Sequence, residues 1–88
     1  MLLDLGGRYR LNPQVALRPE PFGALAYHFG TRRLTFLKTP QLVAAVRLLA
    51  AHDTVAGALH AAGIPAGEHA RYAVALAALA DSEVIDAR

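Results

Sequence analysis

"ALAYHFGTRRLTFLK", Ala24 to Lys38, is the segment from which the architecture of the chain can be worked out. Two runs that alternate with period two flank a glycine, which is the signature of a hairpin. Gly30-Thr31 fits a two-residue type II′ loop, with glycine at the first central position. That register places Phe29 opposite Arg32, Tyr27 opposite Leu34 and Leu25 opposite Phe36. One face then carries Leu25, Tyr27, Phe29, Leu34 and Phe36; the other carries Ala24, Ala26, His28, Arg33, Thr35 and Leu37. The larger apolar set is expected to face the core. In a two-residue hairpin the residues flanking the loop form a hydrogen-bonded pair, and such pairs alternate with non-bonded ones. On that count the backbone groups of Leu34 and Phe36 point at the neighbouring strand. Those of Arg33, Thr35 and Leu37 point at the free edge.

The period changes after Lys38. Thr39-Pro40 reads as an N-cap followed by the first helical position, and the helix runs to about Ala51. "HDTVAGALHAAGIP" is a second, shorter helix capped by Asp53 or Thr54; Gly63 ends it and Pro65 follows. "GEHARYAVALAALADS" predicts a third helix from about Gly67 to Ala80, and "EVIDAR" is a tail with room for a short strand. Upstream of the hairpin, "QVALR", Gln14 to Arg18, alternates and predicts a strand. "PEPFG", Pro19 to Gly23, is read as a connection, because prolines lack the ladder donor. Met1 to Pro13 contains Gly6-Gly7 and no lasting period, so residues 1–13 are expected to be a poorly ordered tail. Residues 14–88 are expected to form one domain. The element order predicts an α+β fold: a three-stranded antiparallel sheet followed by three helices, in a winged helix-turn-helix-like arrangement.

The chain has 88 residues, 55% of them hydrophobic, and a net charge of +2. That is too apolar for a disordered chain and too weakly basic to argue for nucleic acid by charge alone. With no cysteine there is neither a disulfide framework nor a thiolate metal site, which suits a cytoplasmic protein. "MLLDLGG" is too short for a secretory signal, and no apolar run is long enough to span a membrane.

No catalytic constellation stands out. His28, His52, His60 and His69 lack the paired spacing of helical zinc motifs and read as surface or capping residues. The acids Asp4, Glu20, Asp53, Glu68, Asp81, Glu83 and Asp86 are scattered, with no dyad spacing. Gly6-Gly7 lacks the strand-to-helix context of a phosphate loop. The second and third predicted helices have helix-turn-helix proportions. A DNA-reading helix needs polar groups that reach base edges, and this one offers Glu68, His69, Arg71 and Tyr72 before running into alanine, valine and leucine. A nucleic-acid-binding winged helix is therefore the alternative reading, and a structural subunit that only docks onto an enzyme is a third. The third helix carries two apolar stripes: Tyr72, Leu76 and Leu79, and Val74, Ala75 and Ala78 with Arg71. Core burial is the usual cause of such stripes, so burial of both is favoured over the alternative in which one stripe lines a groove beside the exposed strand.

A three-stranded meander followed by three helices, the last two in helix-turn-helix style, resembles the PqqD-like domains, also called RiPP recognition elements. Asn12 to Ala50 is similar, more specifically, to the small chaperone of the mycofactocin system. The helical half to about Ile85 is similar with less specific sequence. The resemblance implies a non-catalytic adaptor without cofactor or metal. Such an adaptor binds the leader region of the mycofactocin precursor peptide and presents it to a radical SAM maturase, with no part for nucleic acid or membrane. In this family the leader adds as an extra strand to the third strand and lies against the third helix. Transferred by position in the fold, the implied peptide-binding residues are Arg33, Leu34, Thr35, Phe36, Leu37 and Lys38 on the strand. On the helix they are Arg71, Val74, Ala75 and Ala78. The backbone of a bound peptide would then pair with the free edge. The basic side chains there would discourage wrong pairing and steer an acidic peptide.

Overall fold

The computed structural model describes residues 3–88. Its main sheet has three antiparallel strands in the order β2-β3-β4: β2 is Val15–Glu20, β3 is Gly23–His28 and β4 is Leu34–Leu37. Helices α1 (Pro40–Leu48), α2 (Val55–Ala61) and α3 (His69–Asp81) follow, with single 3-10 turns at Leu49–Ala51 and Ala66–Glu68. The fold is α+β, as the alternation-then-helix order predicts.

The helix signals work as their chemistry requires. Thr39 accepts from the Leu42 amide at 3.1 Å and Thr54 from the Gly57 amide at 3.0 Å, so each threonine satisfies one of the first-turn donors. Past α2, Gly63 adopts φ 81°, Ile64 N–H donates to Leu59 C=O at 3.1 Å, and Gly63 N–H donates to His60 C=O at 3.0 Å. This is a Schellman stop, which favours glycine because the left-handed turn crowds a Cβ. The Pro19-containing stretch is not merely a connection: β2 continues through Pro19 and Glu20, and only Pro21 and Phe22 turn the chain. Proline fits because β2 is an edge strand and the missing donor faces away from β3. Gly23 is required by close approach, since a Cβ there would collide with the Leu37 carbonyl oxygen.

The two ends of the chain pair with each other, and the C-terminal tail forms the short strand for which it had room. The stretch read as a poorly ordered tail supplies β1, Tyr9–Leu11, paired antiparallel with β5, Ile85–Ala87. Ahead of β1, Leu3 is buried, and the Val55 and Ala56 amides donate to the Gly7 and Leu5 carbonyls at 3.1 and 2.9 Å. Met1 and Leu2 lie outside the described residues. A three-residue strand is too short to show alternation, and its partner lies at the other end of the chain.

The hairpin keeps the expected register, with Tyr27 opposite Leu34 and Leu25 opposite Phe36, but its loop is different. His28 N–H donates to Arg33 C=O at 3.0 Å, and Arg32 N–H donates to His28 C=O at 2.7 Å. The loop therefore spans Phe29 to Arg32, with Arg32 in the left-handed region at φ 62° and no positive φ at Gly30. The His28 ring stabilises this wider loop: its Nδ1 accepts from the Gly30 and Thr31 amides at 3.0 and 3.1 Å. His28 itself is buried, so it acts as a loop cap from inside.

The core lies between the inner face of the sheet and the helices. Leu37, Val46, Leu49, Val55, Leu59, Leu76, Val84 and Ile85 are fully buried. The sheet's inner row is Ala24, Ala26, His28 and Leu37, all buried. The larger set, expected to face inward, faces outward: Phe29, Leu34 and Phe36 are each about 60% exposed, and Leu25 and Tyr27 are half-buried. The physical reason is volume. Leu37, Val46 and Leu49 fill the gap below the sheet, so the facing row of β3 must be small for α1 to approach.

Candidate functional site

The wider loop shifts the hydrogen-bonding phase of β4 by one residue. Since His28 bonds to Arg33, the next bonded pairs along the ladder are Ala26 with Thr35 and Ala24 with Leu37. The opposite side of β3 agrees: Phe29 N–H donates to Gln14 C=O at 2.8 Å, so Tyr27 and Leu25 bond toward β2. The backbone groups of Arg33, Thr35 and Leu37 therefore point inward, and those of Leu34 and Phe36 point at the free edge. This reverses the assignment made from a two-residue loop. β4 ends the sheet, so the edge donors and acceptors of Leu34 and Phe36 have no strand partner among the described residues.

A cleft of about 430 Å³ runs beside that edge. Thr35, Phe36 and Lys38 line it from the strand and Ala75, Ala78, Leu79 and Ser82 from α3, with Leu42 of α1 between them. A smaller hollow of about 160 Å³ shares Leu42 and Ala75 and is bounded by Thr39, Arg71 and Tyr72. The cleft is open because α3 presents alanines here. Burial sorts the two α3 stripes: Leu76 and Leu79 are buried with Tyr72 against the core, whereas Val74 is 54% exposed and Arg71 and Ala78 are exposed. The expectation that both stripes are buried therefore holds only for the first.

Of the residues implied by resemblance, Thr35, Phe36, Lys38, Ala75 and Ala78 meet at the cleft, and Arg71 lines the adjoining hollow. Arg33 and Leu34 are exposed on the hairpin. Leu37 is fully buried in the core, and its side chain is inaccessible from the edge. Val74 is exposed but borders neither cavity. Sequence reasoning missed Leu42, Leu79 and Ser82. Leu79 belongs to the stripe expected to be buried, and Leu42 and Ser82 carry no signal beyond their places near helix ends.

Charge at the edge is uneven. Arg71 pairs with Glu68 and lies 5.4 Å from the Tyr72 ring centroid, and Arg18 pairs with Glu20. Arg32, Arg33 and Lys38 have no ion-pair partner among the described residues. No group of three or more metal-binding side chains is present among those residues, and no helix among them is long and apolar enough to cross a membrane.

This geometry describes a class: a small α+β scaffold with a free strand edge, an apolar cleft beside it and a basic rim. The model of the peptide chaperone MftB family matches residues 8–86, and the chain belongs to that family. It is similar to peptide chaperone MftB of Mycobacterium ulcerans (strain Agy99), 56% identical over 77 residues that cover 88% of this chain and 71% of the relative. The corresponding proteins of Mycolicibacterium smegmatis (strain ATCC 700084 / mc(2)155) and Mycobacterium tuberculosis (strain ATCC 25618 / H37Rv) are 51% and 48% identical. Each alignment covers 88% of this chain and 76% and 71% of the relative, respectively. No solved structure matches. The family assigns the chain to the chaperones of mycofactocin biosynthesis and not to the enzymes.

Proposed function

We propose that this chaperone binds the leader region of the mycofactocin precursor peptide by β-strand addition to β4 and delivers it to a radical SAM maturase in the cytoplasm. It contributes no catalytic group and needs no cofactor, metal, nucleic acid or membrane. The observation that carries this reading is the free β4 edge beside the uncovered α3 stripe. An extended chain placed there pairs its backbone with Leu34 and Phe36, and its alternate side chains enter the cleft against Ala75 and Ala78. Arg32, Arg33 and Lys38 favour an acidic peptide and raise its rate of encounter. Arg71, bound to Glu68, is less available for that role. The same stripe disfavours DNA, because an arginine held in an ion pair and a row of small apolar side chains offer little to base edges.

A pair of prolines tests this. Leu34→Pro removes an outward donor and leaves the ladder with β3 complete, so the variant stays folded. The lost hydrogen bond weakens binding by about 0.5–1.5 kcal/mol, and the clash of the ring with an incoming strand adds to that. Thr35→Pro removes an inward donor and lowers the unfolding temperature. Thermal unfolding and precursor-peptide affinity are measured side by side. A folded Leu34→Pro variant with native affinity contradicts strand addition.

A further inference from the structure

Resting on strand addition at β4, we infer that the outer face of the edge also reads the peptide: a cleft between Phe22 and Phe36, with Lys38 at its rim, takes an apolar side chain next to a carboxylate. Three observations converge there. Phe22 and Phe36 are 40% and 60% exposed, and their rings meet edge to face with centroids 5.8 Å apart. With Lys38 they line a shallow cleft of about 340 Å³; Phe36 and Lys38 also line the α3 cleft, whereas Phe22 does not. Lys38 has no ion-pair partner among the described residues.

Leu34 and Phe36 lie in the outer row of β4, and Lys38, the residue just after the strand, continues that alternation. A strand added to this edge has its own outer row, with side chains two residues apart directly opposite. The positions facing Phe36 and Lys38 are therefore two apart in the peptide. An aromatic or branched apolar side chain is complementary to the first and an aspartate or glutamate to the second. The peptide is thus gripped on both faces, with small residues of α3 on one side and aromatic rings on the other. The signature is an apolar and an acidic residue separated by one position, whose intervening side chain faces α3.

Phe22 is the discriminating position, because it lies off β4 and its truncation leaves both the edge and the α3 cleft intact. The probe is the full-length precursor peptide, and the readout is its dissociation constant for the wild type, Phe22→Ala, Lys38→Gln and Leu34→Pro. An alanine scan of the peptide is measured against each of the first three. Phe22→Ala is expected to weaken binding about fivefold or more with an unchanged circular dichroism spectrum. One apolar peptide position is expected to lose its effect in Phe22→Ala. One acidic position two residues away is expected to lose its effect in Lys38→Gln. Native affinity in Phe22→Ala, or additive effects at every peptide position, overturns the inference. If Leu34→Pro still loses the peptide in that case, strand addition stands and only the outer-face subsite falls. If the precursor does not bind the wild type, or binds Leu34→Pro equally well, both fall together.

Discussion

Arg32 sits at φ 62°, where a side chain other than glycine or asparagine is crowded by its own carbonyl. Glycine would be the ordinary residue for this position of the loop. An arginine kept there, next to the free edge and without an ion-pair partner among the described residues, places charge where an approaching chain meets it. Arg32→Gly is expected to relieve the crowding and stabilise the fold by about 0.5–1 kcal/mol, after allowance for the greater freedom of glycine in the unfolded chain. The same change should slow association of the precursor peptide at low salt and matter little at high salt. Stopped-flow association across a salt series, together with thermal unfolding, checks both halves. Equal association rates at low salt would remove Arg32 from the steering set. His28 shows a second use of one residue. Buried beneath the loop, it accepts from two loop amides and so fixes the four-residue span that sets the phase of β4.

At the scale of elements, β4 and α3 form the two walls of the cleft. Ala78 is exposed and lines it, so a longer side chain there fills the space without touching the core. Ala78→Gln should cost only about 0.4 kcal/mol of helix propensity and weaken peptide binding markedly. A variant with unchanged affinity would mean that bound side chains do not reach α3. The walls were legible in the sequence to different degrees. The register of the hairpin follows from its alternation, and the start of α1 and both ends of α2 follow from Thr39, Thr54 and Gly63; the expected first helix, to about Ala51, closes as α1 to Leu48 plus a 3-10 turn. Which face of the sheet is buried does not follow. Alternation separates two faces, but the choice between them depends on the volume that α1 leaves, and here small alanines face inward. The loop also escaped a local reading, since Gly30-Thr31 suits a tight turn. The wider turn depends on His28, whose burial is a tertiary fact.

For the whole molecule, the short β1–β5 pairing brings the two ends of the chain together and ties residues 3–11 to the helical half. Arg88 reinforces this by donating to the Ala50 and His52 carbonyls at 3.0 and 2.8 Å, at the C-terminal end of the turn after α1. Apart from the short strand for which the C-terminal tail had room, this was not visible locally, because contacts between residues about one chain length apart leave no period. The family, in contrast, was legible in the segment from Asn12 to Ala50. These ties hold the scaffold closed at one end, and the β4 edge is left unpaired. Strand addition at this edge is read directly by amide hydrogen exchange. In the free protein the Thr35 and Leu37 amides, held in the ladder, are expected to be protected, and those of Leu34 and Phe36, on the free edge, to exchange quickly. With saturating precursor peptide, Leu34 and Phe36 are predicted to become protected while Thr35 and Leu37 change little. Fast exchange at Leu34 and Phe36 in the peptide-saturated protein would contradict strand addition at β4.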